Sequence, residues 1–261
     1  MSRAPACLTI IAVLFLTLPS LVAQDKGLGP TELFITYSCD PSNRVEFRKY
    51  MEGPGVAQFE KWKKEGVVAD YLILFNCFVD FDTWDMMVVL SFDRYVQTAS
   101  WKQVEKSYPG GLAKDALKLA VPRNTYSADL TWQNASKTIK SDRSKAVYFV
   151  IPYEYAGETG EETYKNYNQT YVIPQLNGWI DEGILTSYSI YLNNHQTGKP
   201  WEVMMIFEYK DIESFALRDV VKNKVRDTLK KNPAWKIVSD IKHQFRTERE
   251  TVISEAILPS K

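Results

Sequence analysis

Two stretches of the chain read almost as one: Phe59-Glu-Lys-Trp62-Lys-Lys-Glu65-Gly66-Val-Val-Ala-Asp-Tyr71-Leu-Ile73-Leu-Phe-Asn76 and Leu176-Asn-Gly-Trp179-Ile-Asp-Glu182-Gly183-Ile-Leu-Thr-Ser-Tyr188-Ser-Ile190-Tyr-Leu-Asn193. They keep a constant offset of 117 residues without a gap, and the register runs on through Trp84 and Trp201 to Met87 and Met204. Over residues 59–93 and 176–210 eight positions are identical; roughly two would be expected by chance, and two of the eight are tryptophan. Backward, Tyr50 meets Tyr167, and with one residue dropped Ile35 and Tyr37 meet Ile151 and Tyr153. An internal duplication is the reading.

Each copy resolves into the same succession of elements. The β-branched and aromatic runs Leu33–Tyr37 and Val147–Ile151 suit first strands. A helical stretch follows, with Val56, Phe59 and Trp62 in one copy and Ile173, Leu176 and Trp179 in the other on one apolar face. Gly53-Pro54-Gly55 and Pro174 interrupt it, which predicts a kink or a two-piece helix, and Gly66 and Gly183 end it as C-caps. Second strands are expected at Val67–Phe75 and Ile184–Leu192, with a turn-rich hairpin, Asn193–Pro200, in the second copy. The third strands, Met86–Phe92 and Val203–Tyr209, are apolar on both alternating sets and so should be covered on both faces. Helical segments are expected over 95–120 and 212–241, fourth strands near 125–131 and 251–258, and a polar link over 133–145.

Strand, helix, strand, strand, helix, strand, twice over, is the split βαβ arrangement of ferredoxin-like domains. With the Trp-x-x-Glu-Gly corners at Trp62–Tyr71 and Trp179–Tyr188, the chain resembles the dimeric α/β-barrel superfamily over most of residues 31–261. The resemblance implies an α+β fold in which two tandem ferredoxin-like βαββαβ repeats pack sheet to sheet as an intrachain barrel: a first repeat at 25–135, a linker at 136–145 and a second repeat at 146–261. Fusion would satisfy within one chain the pairing that single-unit relatives obtain by dimerising, which implies a monomer with pseudo-twofold symmetry. A fold-level likeness licenses no activity.

Arg3 precedes an apolar run from Ala6 to Leu18, followed by Pro19, Ser20 and the small Ala23, so residues 1–24 are read as a secretory signal cut near Ala23 or Gln24. The alternative is an uncut N-terminal anchor; in both cases the remainder is secreted or periplasmic. No later segment approaches the spanning length of about 20 apolar residues, so no stable membrane insertion is expected after cleavage. No cysteine follows the signal, which argues against a lipid-anchored form. Cleavage leaves Cys39 and Cys77. An oxidising compartment invites a disulfide, but the strand map puts the two near opposite ends of a sheet, beyond the bonding limit of about 7 Å between Cα atoms.

The chain has 261 residues, 45% hydrophobic and 13% aromatic, with 32 basic against 32 acidic side chains. That composition excludes disorder, and its neutral balance supplies no field for a nucleic-acid backbone. Chemistry-bearing motifs are scarce. There is no Gly-x-Ser-x-Gly elbow, phosphate loop or dinucleotide fingerprint. With only His195 and His243, and no Cys-x-x-Cys pair, neither a metal site nor any cofactor is indicated. Some members of the superfamily bind haem through a histidine, but neither histidine here matches that ligand by motif. Glu65 and Glu182 are either paired carboxylates for acid–base work or solvated helix-end residues. Tyr37, Tyr71, Tyr153, Tyr188 and Tyr191, with Ser187 and Ser189 alternating on one strand face, either line a pocket or fill a barrel with internally paired hydroxyls. Trp62 and Trp179 are read as core, and Trp84 and Trp201 as sheet anchors. The basic run from Lys222 to Lys236 is read as a solvated face, and Asn134 and Asn168 fit the glycosylation pattern. Two functions follow as expectations: a barrel that binds a small apolar or aromatic molecule, or a cofactor-independent oxygenase or isomerase of the kind the resemblance implies.

Overall fold

Alternation decides which way each strand faces. In β1 (Thr31–Cys39) Leu33, Ile35 and Tyr37 join an apolar layer under helices, whereas Phe34 joins a separate cluster on the other face. The computed structural model describes residues 29–195 and 200–259; the expected signal segment lies outside them. The further strands are β2 (Asp70–Asn76), β3 (Met86–Phe92), β4 (Ala120–Ala135), β5 (Val147–Tyr155), β6 (Leu185–Asn193), β7 (Val203–Tyr209), β8 (Arg246–Glu248) and β9 (Val252–Ala256). Hydrogen bonds order them β7-β6-β4-β1-β3-β2-β9-β5, and β5 pairs back onto β7, so the sheet closes into an antiparallel barrel. The first four strands lie as β4-β1-β3-β2 and their later counterparts as β9-β5-β7-β6. The expectation of two sheets pressed face to face is met differently: the sets join edge to edge, β4 to β6 and β2 to β9, which leaves a single ring.

β8 was not anticipated. It runs with β9 along one side of β5, and the break between them falls where Arg249 N donates to Pro152 O. Proline offers no N–H to return that bond, so the ladder is interrupted there.

Helices cover the outside. The first set is α1 (Arg44–Tyr50), a π-turn at Met51–Gly55, α2 (Val56–Lys64) and α3 (Thr98–Glu105); the second is α4 (Glu161–Tyr167), a π-turn at Asn168–Val172, α5 (Ile173–Asp181), α6 (Ile212–Ala216), α7 (Arg218–Leu229) and α8 (Pro233–Asp240). The expected kinks are these π-turns, set off by Pro54 within one and Pro174 just after the other, each of which deprives a carbonyl of its donor. Gly66 (φ 72°) and Gly183 (φ 81°) stop α2 and α5 as expected. The long helical stretch expected over 95–120 is only α3, because Pro109 and the positive-φ pair Gly110 and Gly111 break it. β4 extends to Ala135, so the link between the halves begins at 136.

Three apolar clusters result. Two lie between helices and sheet, holding Phe59, Trp62 and Trp101 on one side and Leu176, Trp179 and Trp235 on the other. The third, inside the barrel, holds Phe34, Leu74, Val89, Tyr148, Val150 and Ile206. Full burial of one such side chain stabilises the fold by roughly 1.5–3 kcal/mol. Trp62 and Trp179 are core, as expected. Cys39 and Cys77 are free thiols. They lie at the same end of the sheet, not opposite ends, because β1 and β2 both run antiparallel to the strand between them, β3. Asn168 is fully buried in its π-turn and cannot be an acceptor for glycosylation in the folded chain, whereas Asn134 is exposed and its Nδ2 donates to Asn177 Oδ1 at 2.9 Å.

Candidate ligand-binding site

At the barrel end where β1 finishes and β3 begins, the inward side chains stop short of filling the ring. A cleft of ≈ 390 Å³ opens there, with Phe34, Met87, Tyr126, Trp201 and Met204 as its apolar wall and Thr36 and Asn124 as polar groups. The wall is locked by aromatic contacts: Phe34 meets Tyr191 edge-on at 4.9 Å and Trp201 at 5.6 Å, and Tyr126 lies 5.3 Å from Trp201.

Trp84 and Trp201 are aimed by identical devices. Asn76 Nδ2 donates to the carbonyl of Trp84 at 3.1 Å and its Oδ1 accepts from Phe78 N at 3.0 Å. Asn193 repeats both bonds, to Trp201 at 3.0 Å and from His195 N at 3.0 Å. Each asparagine ties the loop between two strands to the residue that precedes the third. Two arginines stand at the rim in corresponding places: Arg123 Nε donates to Ser38 Oγ at 2.5 Å, and Arg249 pairs with Glu154. Phe81, 88% exposed, overhangs the opening beside Asp82 and Trp84.

The five tyrosines are not brought together. Tyr191 alone points into the barrel, where burial, with Glu32 nearby, raises its hydroxyl pKa. Tyr37 reaches the cleft wall, but its buried hydroxyl donates away from it to the carbonyl of Gly110. Tyr71 donates to Glu60 Oε1 at 2.6 Å and Tyr188 to Asn177 Oδ1 at 3.0 Å, both on the helical side. Tyr153 lies under the Arg246 guanidinium at 3.9 Å. Glu65 and Glu182 cap α2 and α5 and pair with Lys61 and Lys224, away from the cleft. The basic run pairs locally: Lys222 with Asp219, Lys230 with Asp227 and Lys236 with Asp240.

Sequence reading missed Phe34, Thr36 and Arg123. The period-2 alternation of β1 carried the first two: once Leu33, Ile35 and Tyr37 are assigned to the helical side, Phe34 and Thr36 must face inward. Asn76 and Asn193, identical at the offset of 117, were a second signal, since buried asparagine is retained where its amide has a defined partner.

No family profile and no curated protein matches the chain. Solved structures do. An anthrone oxidase-like protein superposes with a TM-score of 0.55 at 8% identity, over 91% of this chain and 98% of that one. A putative monooxygenase from Fusobacterium nucleatum gives 0.52 at 15% identity, over 88% and 93%. A chlorite dismutase variant from Candidatus Nitrospira defluvii gives 0.51 at 12% identity, over 88% and 91%. The fold is that of the dimeric α/β-barrel proteins. At these identities the likeness is one of fold. Neither histidine is set to ligate a haem iron: His195 is exposed after β6, and His243 is exposed on the turn before β8. Among the described residues no cluster of three metal-ligating side chains occurs, and no helix is long and apolar enough to cross a membrane.

Proposed function

We propose that the barrel mouth binds a small apolar or aromatic molecule in a secreted or periplasmic protein. The observation that carries this is the ≈ 390 Å³ cleft walled by Phe34, Tyr126 and Trp201 with a few polar groups at its edge, within the roughly 300–1,000 Å³ range of small-molecule sites. Eight identities at one offset and the matching orders β4-β1-β3-β2 and β9-β5-β7-β6 support reading the chain as two fused copies of one unit, acting as a monomer whose cleft lies where the two copies meet.

Native mass spectrometry of protein purified without denaturant tests the reading, together with quenching of tryptophan fluorescence by an aromatic probe such as anilinonaphthalene sulfonate. Trp201→Ala should weaken probe binding at least tenfold, about 1.4 kcal/mol, with the far-UV spectrum unchanged. Saturable quenching that is identical in wild type and Trp201→Ala would refute it. A second reading, a cofactor-independent oxygenase or isomerase, has the support of fold alone, from the neighbours described as a putative monooxygenase and as anthrone oxidase-like. Its check is oxygen uptake on addition of an anthrone.

A further inference from the structure

The helix–sheet layer of the second half contains polar groups that its counterpart lacks. The hydroxyls of Tyr164, Tyr167 and Tyr171 and both amide atoms of Asn168 are buried without a hydrogen-bond partner. All four residues belong to α4 and the π-turn after it, at spacings that set them along one inward face. At the same offset of 117, the first half has Phe47, Tyr50, Met51 and Pro54. Phe47 and Met51 are fully buried and apolar, and Tyr50 is only partly buried. Native cores seldom leave such groups unpaired, so a cluster confined to one half requires a cause.

A cation stands against the cluster. Arg246, on β8, holds its guanidinium 3.9 Å over the Tyr153 ring and 5.4 Å from that of Tyr167, with Nη1 3.8 Å from Met205 Sδ. Its counterpart in the first half, counted from the rim pair Arg123 and Arg249, is the buried Ala120. Among the described residues no carboxylate pairs with Arg246. The Tyr164 hydroxyl lies beside both Arg246 and Asn168, yet completes a well-formed bond with neither. Aromatic faces stabilise a guanidinium in part, but they offer its N–H fork no acceptor.

We infer that Arg246, Tyr164, Tyr167, Tyr171 and Asn168 form a second binding site, separate from the barrel mouth, for a small anion. Phenol O–H groups, the Asn168 N–H₂ and a guanidinium can all donate to one acceptor, and one carrying negative charge also offsets the guanidinium, while Asn168 Oδ1 is left to accept from a tyrosine hydroxyl. Water would answer the hydroxyls and leave the charge uncompensated. Neighbouring rings 5.4 and 5.6 Å apart, Tyr167 to Tyr171 and Tyr164 to Tyr167, are in contact, so the ion would meet the hydroxyl ends rather than the ring faces and must be small: a halide, nitrate or a formate-sized carboxylate. Arg246 sits on the short strand β8, where the next residues, Thr247 and Glu248, are exposed, so the site lies close beneath the surface.

Crystals of the full chain soaked in sodium bromide, read by anomalous scattering, locate the site directly. An anomalous peak between Arg246 and the tyrosine hydroxyls is the expected result. In solution, nitrate titrated at fixed ionic strength should raise the melting temperature of the wild type. The Arg246→Gln variant should lose that response and Tyr164→Phe should weaken nitrate binding at least tenfold. Should Arg246→Gln fail to fold, Tyr164→Phe and Tyr167→Phe decide alone. Ordered water without bromide, or a nitrate response unchanged in the variants, overturns the inference.

Discussion

The backbone N–H of Val67 donates to the carbonyl of Trp62 at 2.9 Å, and Ile184 makes the same bond to Trp179 at 3.2 Å. With Gly66 N donating to Lys63 O at 3.1 Å and Gly183 N to Ile180 O at 3.0 Å, each corner is a complete Schellman turn. A Cβ at Gly66 would meet nothing within 4 Å, so only its left-handed backbone resists substitution. Gly66→Ala should therefore destabilise the protein by roughly 1–2 kcal/mol, read as a lowered urea midpoint with an unchanged slope. An effect below a few tenths would show that the turn relaxes freely.

Gly178 opposes its substitution for a different reason. Its Cβ would stand 2.5 Å from Val225 Cγ1, where α5 and α7 touch. Gly178→Ala should lower stability by roughly 1–3 kcal/mol through overpacking. Val225→Ala added to it should restore part of that loss, so the two changes should be clearly non-additive in a double-mutant cycle.

Glu32 faces into the barrel and is nearly fully buried. Burial pushes its carboxyl up to about 8; the N–H of Leu130 opposes this and Asp129 adds to it. The unfolded group titrates near 4.5, so between these values the native state holds the extra proton. Its contribution is complete below pH 4.5 and is lost as pH rises through 8. At 1.36 kcal/mol per unit, the upper limit is several kcal/mol. Denaturation at pH 5, 6.5 and 8 should show stability falling in the wild type and a flatter profile in Glu32→Gln. Parallel profiles would remove Glu32 as the cause.

The two thiols should stay unlinked even under oxidising conditions. Burial, with Asp85 alongside, pushes Cys39 up to about 12, and burial raises Cys77 as well, so neither supplies much thiolate near neutral pH. Alkylation in denaturant without prior reduction, followed by mass spectrometry, should label both. A peptide pair joined through Cys39 and Cys77 would contradict the structure.

The elements carried by strong local signals were legible: β3 and β7 fall on the predicted residues because an unbroken apolar run has few alternatives, and both glycine stops hold because only one backbone conformation suits them. Facing was harder. Tyr37 looked like a pocket residue by type, but the side of the strand it occupies depends on which neighbours already point at helices, a tertiary fact. Arg123 gave no local sign at all: it reaches the rim because β4 runs beside β1 and delivers it to Ser38. The break at Pro152 was visible as a residue and invisible as a consequence until β8 and β9 were seen along its flank.

Closure through β9 has a bearing on how the protein comes to exist. That strand is made after every other described one, yet it is the piece that slots between β2 and β5. Until it arrives, two long edges stand open to any passing chain, a hazard that only completion of the ring removes. A nascent or truncated molecule lacking its final segment should thus be prone to clumping, and a chaperone that shields open edges should matter most in the last moments of synthesis.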